Sequence, residues 1–339
     1  MRAALTFVLV VLAVIALALV GGWFALQRPD IPFATLQEKY GAAADRVLDM
    51  PSGERVRYRD QGDRNRPPLV LVHGYAASLD TWEPWVARLG ERYRLISLDL
   101  PGHGLTETPA DYAVSTERYV AVVNAVADAA GLQTFSLGGS SMGGRVAWEY
   151  ALAHPDRLDA LILVDAAGWP FEQRPGGAPL VFQLLQNPII GRLLSNLDTT
   201  ALTRQGLQAS FVNQALVDDA MVNRYVELSR APGHRPILRA LQLDYGRFAT
   251  PELLAGISKP TLILSGEQDN LIPVEHARRF AQAIPGSELI TFPNVGHLPQ
   301  EEIPDASSEI VANFLARVYR SEPSAEALAA AAAAARPAP

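Results

Sequence analysis

Phe135-Ser136-Leu137-Gly138-Gly139-Ser140-Ser141-Met142-Gly143-Gly144 is the stretch whose reading decides the fold of this chain. An apolar run, Phe135 to Leu137, leads into Gly139-Ser140-Ser141-Met142-Gly143, and residues of helical period follow from Arg145 to Ala153. G-x-S-x-G between a strand and a helix describes a sharp turn that strains its central residue. Glycine is needed on either side, because a Cβ there would strike neighbouring backbone. Ser141 is therefore expected to stand at the top of a strand with its hydroxyl presented outward. The same turn aims the Met142 N–H and the positive end of the following helix at one point, where a developing oxyanion is stabilised. The plain alternative is a glycine-rich turn that happens to hold a serine, and the remaining motifs argue against it.

A second oxyanion donor is expected from the loop after an earlier strand, Leu69 to Val72, which begins His73-Gly74-Tyr75-Ala76. Gly74 permits close approach of backbone to a ligand, so the Tyr75 N–H is the expected donor. A serine hydroxyl is a poor nucleophile until a base takes its proton and a carboxylate orients that base. The chain has six histidines. His73, His103 and His154 precede or adjoin the nucleophile, His234 falls in an inserted segment, and His276 lies on a helix just after the expected acid. His297, in Asn294-Val295-Gly296-His297, follows the last strand and is the expected base. The expected acid is Asp269, in Ser265-Gly266-Glu267-Gln268-Asp269 just past the strand Thr261 to Leu264. Asp165, at the end of the preceding strand, is its competitor.

Short apolar runs bounded by turn residues alternate with longer stretches of helical period, the pattern of a mostly parallel α/β sheet with crossover helices. Strands are expected at Leu69 to Val72, Leu95 to Leu98, Phe135 to Leu137, Leu161 to Val164, Thr261 to Leu264 and Leu289 to Phe292. Several lack polar alternation and should be buried on both faces. A pair near Arg55 to Asp60 and before it adds an antiparallel edge, which makes an eight-stranded sheet flanked by helices. Ser115 to Ala130 reads as a helix with Ser115 as N-cap and Gly131 as terminator. From Asp165 to Pro260 the chain spends about 95 residues where one crossover needs roughly 30 to 40. The excess reads as a helical cap, residues 166–250, with helices at Leu180 to Leu185, Ile189 to Leu197 and Ala215 to Leu228. It would sit over the edge of the sheet where ligands bind. Its apolar stripe, Val181, Phe182, Leu184, Leu185, Ile189, Ile190, Leu193 and Leu194, either packs the cap onto the core, the more common role of such stripes, or lines an acyl-chain site.

The ends of the chain carry no chemistry of this kind. From Ala3 to Leu26 there is no charged residue, and roughly 20 apolar residues suffice to cross a bilayer. The competing reading is a cleaved secretory signal ending at Ala16 or Ala18, but the apolar run continues through Trp23 and Phe24, which favours an uncleaved anchor over residues 1–28. Arg2 before it and Arg28 after it leave only a weak charge bias toward an exported catalytic domain. Residues 31–165 and 251–320 then form the two parts of the core. Residues 321–339, SEPSAEALAAAAAAARPAP, form an alanine-rich tail expected to be disordered. The chain is 339 residues long and 49% hydrophobic, enough for one full catalytic domain with an insertion. A formal charge of -7 argues against a nucleic-acid partner. The absence of cysteine removes thiolate chemistry and disulfides.

From about Arg55 to Arg320 the chain resembles the α/β-hydrolase superfamily. LVLVHGYAAS, LDLPGHG, GGSSMGG, LVDAAG, LILSGEQDNLIP and PNVGH stand where that superfamily carries its characteristic segments. Within it, the chain looks most like microbial lipases and esterases with a helical cap. It is also similar to the hydrolases that cleave carbon–carbon bonds in ring-fission products, although those usually have Asn where Ser140 stands. Haloalkane dehalogenases and epoxide hydrolases use a carboxylate nucleophile, and Ser141 departs from both. The resemblance implies an acyl-enzyme on Ser141 and no metal or organic cofactor, with a small-molecule or lipid-like ester as substrate. Non-catalytic binding modules on this fold typically lose a triad member, and none is lost here.

Overall fold

The computed structural model describes residues 2–109, 111–170, 190–191, 196–243 and 247–320. The expected helix at Leu180 to Leu185, most of that at Ile189 to Leu197, and the tail after Arg320 lie outside the described residues. Helices α1 (Arg2–Leu26) and α2 (Phe33–Tyr40) precede the strands β1 (Asp45–Asp49) and β2 (Arg55–Gln61). Then β3 (Pro68–Val72), α3 (Glu83–Leu89), β4 (Arg94–Leu98), α4 (Thr116–Ala129), β5 (Phe135–Ser140), α5 (Met142–Ala153) and β6 (Leu158–Val164) alternate. The described helices of the insertion are α6 (Thr200–Ser210), α7 (Asp219–Leu228) and α8 (His234–Leu243). The chain closes with β7 (Thr261–Gly266), α9 (Val274–Ala283), β8 (Glu288–Phe292) and α10 (Pro304–Arg320).

The eight strands form one sheet in the order β1-β2-β4-β3-β5-β6-β7-β8. β2 pairs antiparallel with both β1 and β4, and the pairs from β4 to β8 are parallel. The apolar runs of the central strands serve both faces. Val70, Val72, Leu137, Leu161 and Leu163 pack with α4 and α5 in one cluster, while Leu69, Leu71, Ile162, Val164 and Leu264 pack with Trp82, Trp85 and α10 in the other. That alternation with a period of two follows from the pleat. It explains why these segments read as continuous hydrophobic runs.

Several boundaries differ from the sequence reading for identifiable reasons. β5 runs on through Gly138 and Gly139 to Ser140, although glycine weakens isolated strands. Here the neighbours demand it: a Cβ on Gly138 would stand 2.9 Å from Leu71 Cδ2. The helix expected from Ala215 begins only at Asp219, because the Asp218 side chain accepts the Met221 N–H and caps it there, and Ala215 sits in a separate 3-10 turn. Ser115 does cap α4, accepting the Arg118 N–H, and Gly131 follows its end with φ +74°.

A buried ion network fixes the loops at the β2 side of the sheet. Arg57 on β2, 1% exposed, contacts Asp45 at 2.8 Å and Asp99 at 3.1 Å. Asp99, in the loop after β4, also accepts the N–H groups of Leu79 at 2.7 Å and Leu105 at 2.9 Å. Burial opposes the Arg57 charge, but Asp99 and Asp80 more than compensate and hold the guanidinium above its usual range.

At the amino terminus, α1 contains Leu5–Leu26, a stretch of 22 residues with mean hydropathy 2.8 whose most apolar window has no buried residue and which is long enough to cross a bilayer. Its end is bonded to the insertion. Asp198 donates its N–H to the Leu26 carbonyl at 2.9 Å, Arg28 donates to the Asn196 carbonyl at 2.7 Å, and the Arg28 side chain pairs with Asp198 at 2.9 Å.

Candidate active site

The β4-to-β3 and β3-to-β5 neighbours lie on opposite sides of β3, so the chain order reverses there, and in open parallel sheets ligands bind outside the carboxyl ends of the strands at such a point. Every residue singled out as a site candidate falls on this edge. Gly74 and Tyr75 follow β3, Ser141 and Met142 follow β5, Asp165 follows β6, Asp269 follows β7 and His297 follows β8.

Ser141 occupies the turn as the sequence requires. Its φ of +55° and ψ of -117° form a conformation that costs a non-glycine residue about 1–3 kcal/mol. Three backbone bonds hold it: Ser141 N–H donates to Val164 O at 2.9 Å, and Ser141 O accepts from Arg145 and Ala167. The flanking glycines are dictated by contact. A Cβ on Gly139 would lie 2.1 Å from Gly143 O, and one on Gly143 would lie 2.2 Å from Val72 O and 2.5 Å from His73 O. These obstacles are backbone atoms with nowhere to go. Gly143→Ala is therefore expected to lower stability by about 1–3 kcal/mol or more, read as a fall in urea midpoint, and to displace the α5 amides with it.

Met142 opens α5, so its N–H is one of the first-turn amides that a helix leaves without an intrahelical acceptor. Gly74 lies against the Ser141 turn, its Cβ direction meeting Ser141 Cβ at 3.2 Å and Oγ at 3.8 Å. This brings the start of the Tyr75 loop beside the serine hydroxyl. The turn from Gly74 to Ala77 is closed by the Ala77 N–H on Gly74 O, with Ala76 at φ +56°. The Tyr75 hydroxyl reaches across to donate to Leu238 O of α8 at 3.1 Å, a bridge between this loop and the cap.

His297 and Asp269 meet directly. The imidazole Nδ1–H donates to Asp269 Oδ2 at 2.6 Å, with both residues buried. Asp269 Oδ1 accepts the N–H groups of Leu271 at 2.7 Å and Ile272 at 2.9 Å, so the carboxylate is gripped on its other side. The two loops are joined along their backbones by Gln268 N–H on Val295 O at 3.0 Å. Gly266 makes that approach feasible, since a Cβ there would lie 2.0 Å from Gly296 O. The cap takes part as well: His297 donates its own N–H to Ser210 O, at the end of α6, at 2.7 Å.

Two further residues matter at this edge. His73, set aside as a base because of its position, is buried and bonded at both nitrogens. Its Nδ1–H donates to Gly74 O at 2.7 Å and its Nε2 accepts the Leu100 N–H at 3.0 Å. That tautomer requires a neutral ring, and burial does push its pKa down. It braces the Tyr75 loop against the loop after β4. The signal was visible in the His-Gly pair itself, but not its use. Asp165, weighed only as a rival acid, is buried beside Asp269 without displacing it from His297. Among the described residues, Asp165, Asp269 and His297 are the group of metal-ligating type that comes together closely, their atoms lying within 4.8 Å of one another. The His297 Nδ1 and both Asp269 oxygens are already committed to hydrogen bonds, a donor set arranged for proton handling rather than for a cation.

Comparison with known proteins agrees with this architecture. A family model described as the alpha/beta hydrolase fold matches residues 67–304. The chain is similar to 2-hydroxymuconate semialdehyde hydrolase of Pseudomonas putida, 29% identical over 275 residues that cover 79% of this chain and 92% of that protein. Among solved structures it is similar to a membrane phospholipase A described as a bacterial virulence factor, with TM-score 0.68 and 26% identity over 94% of this chain and 99% of that one. It is likewise similar to an esterase from Rhodococcus sp. ECU1013, with TM-score 0.68 and 25% identity over 81% of this chain and 99% of that chain.

Proposed function

Because this chain belongs to the alpha/beta hydrolase fold family, we propose that it is a serine hydrolase of carboxylic esters, with Ser141 as nucleophile, His297 as base and Asp269 as orienting acid. The observation that carries the reading is the strained Ser141, at φ +55°, on the same sheet edge as a buried His297–Asp269 pair at 2.6 Å. Strain of this kind persists only where surrounding structure enforces it, and it clusters at reacting groups.

In the proposed mechanism Ser141 Oγ attacks the ester carbonyl as His297 Nε2 takes its proton. The imidazolium, oriented and stabilised by Asp269, then protonates the leaving alcohol. Water, activated by His297 in turn, cleaves the acyl-enzyme. The N–H groups of Tyr75 and Met142 hold the oxyanion in both steps, and each such donor is worth about 3 kcal/mol in the transition state. No step calls on a metal or an organic cofactor.

Two observations favour a lipid-like ester. α1 is long and apolar enough to anchor the chain through residues 3–26, and the residues that follow it are bonded to the cap at Asn196 and Asp198. The similar membrane phospholipase A supports the same substrate class. The weak charge bias around the span favours a catalytic domain on the exported side. The second reading, a carbon–carbon bond hydrolase of a ring-fission dienoate, is favoured by the similarity to the semialdehyde hydrolase. Against it stands Ser140, buried and contacted by Gln300 Nε2 at 3.4 Å, where such enzymes usually have Asn.

A fluorophosphonate probe is expected to label the wild-type chain at Ser141, whereas a binding module on the same fold would take no label. A nitrophenyl ester series of increasing acyl length, run beside a ring-fission dienoate, then separates the two hydrolase readings. Turnover of the esters with a preference for longer chains, and none of the dienoate, is the expected result. Faster turnover of the dienoate would replace the proposal with the second reading.

A further inference from the structure

Asp165 ends β6 in a conformation that its surroundings impose. Its φ is +41°, its N–H donates to Leu264 O at 2.9 Å, and it is 1% exposed. Oδ1 accepts both the Ser265 hydroxyl at 2.7 Å and the Gly266 N–H at 3.1 Å. Oδ2 is equally buried and receives no donor. This carboxyl, an oxygen of Asp269 and a ring nitrogen of His297 gather within 4.8 Å.

Two carboxylates in such contact, away from water and beside a single imidazole, do not both stay ionised. Asp269 is the one equipped for charge, with two backbone amides on one oxygen and the imidazole N–H on the other. Asp165 has donors on Oδ1 alone. Burial, followed by the neighbouring Asp269 charge, pushes its carboxyl well above the usual carboxylate range. Among the described residues, the titratable groups facing it are Asp269 from the loop after β7 and His297 from the loop after β8, while β7 presents the neutral Ser265 hydroxyl and Gly266 amide.

We propose that Asp165 is a positioning residue for the triad: it keeps a proton on Oδ2 and donates it as a hydrogen bond to Asp269, which then offers His297 a weaker acceptor than an isolated carboxylate would. The inference rests on the reading of Ser141, His297 and Asp269 given above and extends it to the protonation of the base. With part of its charge engaged by Asp165, Asp269 offers the imidazolium less stabilisation than an isolated carboxylate would. Removing the donor reverses this. The imidazolium becomes more stable, and the acid limb of activity moves to higher pH.

The test compares full-length wild type, Asp165→Ala and Asp165→Asn by the pH dependence of kcat/KM on nitrophenyl butyrate. Alanine removes both the donor and the acceptor of Ser265 and Gly266. Asparagine replaces them in kind, its amide nitrogen donating to Asp269 and its oxygen accepting from β7. The alanine variant is expected to shift the acid limb upward by about one unit, a roughly tenfold loss of kcat/KM below the limb, and asparagine is expected to recover it. A purely structural role would lower activity at every pH without moving the limb. In parallel, carbon-13 NMR of aspartate-labelled wild type is expected to show one carboxyl at pH 7 with the shift of a neutral acid, missing from Asp165→Asn. An Asp165 resonance with an ionised shift, or an asparagine variant whose limb moves as far as alanine's, overturns the proposal. The NMR result stands whether or not the chain hydrolyses esters, so a wild type inactive on every ester would sink the triad reading without deciding the proton. Should the alanine variant fail to fold, the asparagine profile and the NMR shift decide the matter.

Discussion

Ser141→Gly is expected to abolish ester hydrolysis and fluorophosphonate labelling while making the protein more stable. Loss of the nucleophile removes the covalent route, and a fall in kcat on the order of 10^6 is the scale for a triad serine acting as one unit with its base. Stability moves the other way because φ +55° with ψ -117° is a conformation glycine adopts freely and serine does not. Relief of about 1–3 kcal/mol of strain is partly offset by the greater freedom of glycine in the unfolded chain. The net gain should be about 1 kcal/mol, or a melting midpoint raised by about 2–4 °C. Calorimetry beside an esterase assay reads both effects. A variant that melts lower than wild type would show that the turn stores no strain, and one that retains turnover would remove Ser141 from the chemistry.

The largest loss of stability is expected from Arg57→Ala. Arg57 lies in the buried network at the β2 side of the sheet, where Asp45 and Asp99 face its guanidinium and the Tyr40 carbonyl accepts from it at 3.0 Å. Truncation would strand the buried Asp99 carboxylate without its cation, while Asp45 keeps Arg59 at 2.6 Å; leaving one buried charge unpaired typically costs about 3–5 kcal/mol, far more than such a pair contributes over well-packed apolar residues. The damage should reach the active site, since Asp99 is also what holds Leu79 and Leu105 in the loops after β3 and β4. Urea unfolding measures the loss. Adding Asp99→Asn to Arg57→Ala should restore part of it, because the amide needs no counter-charge. Additive losses in that double-mutant cycle would mean that the two side chains are not coupled.

Most of the architecture could be read from periodicity. The central strands announced themselves because burial on both faces leaves no polar alternation, and the G-x-S-x-G turn, the His297 loop and the Asp269 loop followed from their positions after strands. What escaped was decided by contacts between distant segments. Gly138 and Gly139 read as a strand's end, yet they continue β5 because Leu71 and the α5 backbone leave no room for a side chain. Ala215 was read into a helix whose start is set three residues later by the Asp218 cap. The proximity of Asp165 to Asp269 has no local signature at all, since the two residues are a hundred positions apart and meet only because β6 and β7 are neighbours in the sheet. His73 showed its presence but not its task, which depends on an amide from the loop after β4.

The Asp198 N–H bonds the last carbonyl of α1 and so ties the end of that helix to the insertion. An enzyme on a long flexible leash explores a hemisphere of solvent and meets dissolved and embedded esters on similar terms. Under the proposed anchoring by α1, such a tie would hold the body near the surface as the helix diffuses sideways. Encounter with a lipid-like ester, the substrate class proposed above, would then be a two-dimensional search governed by surface density rather than bulk concentration.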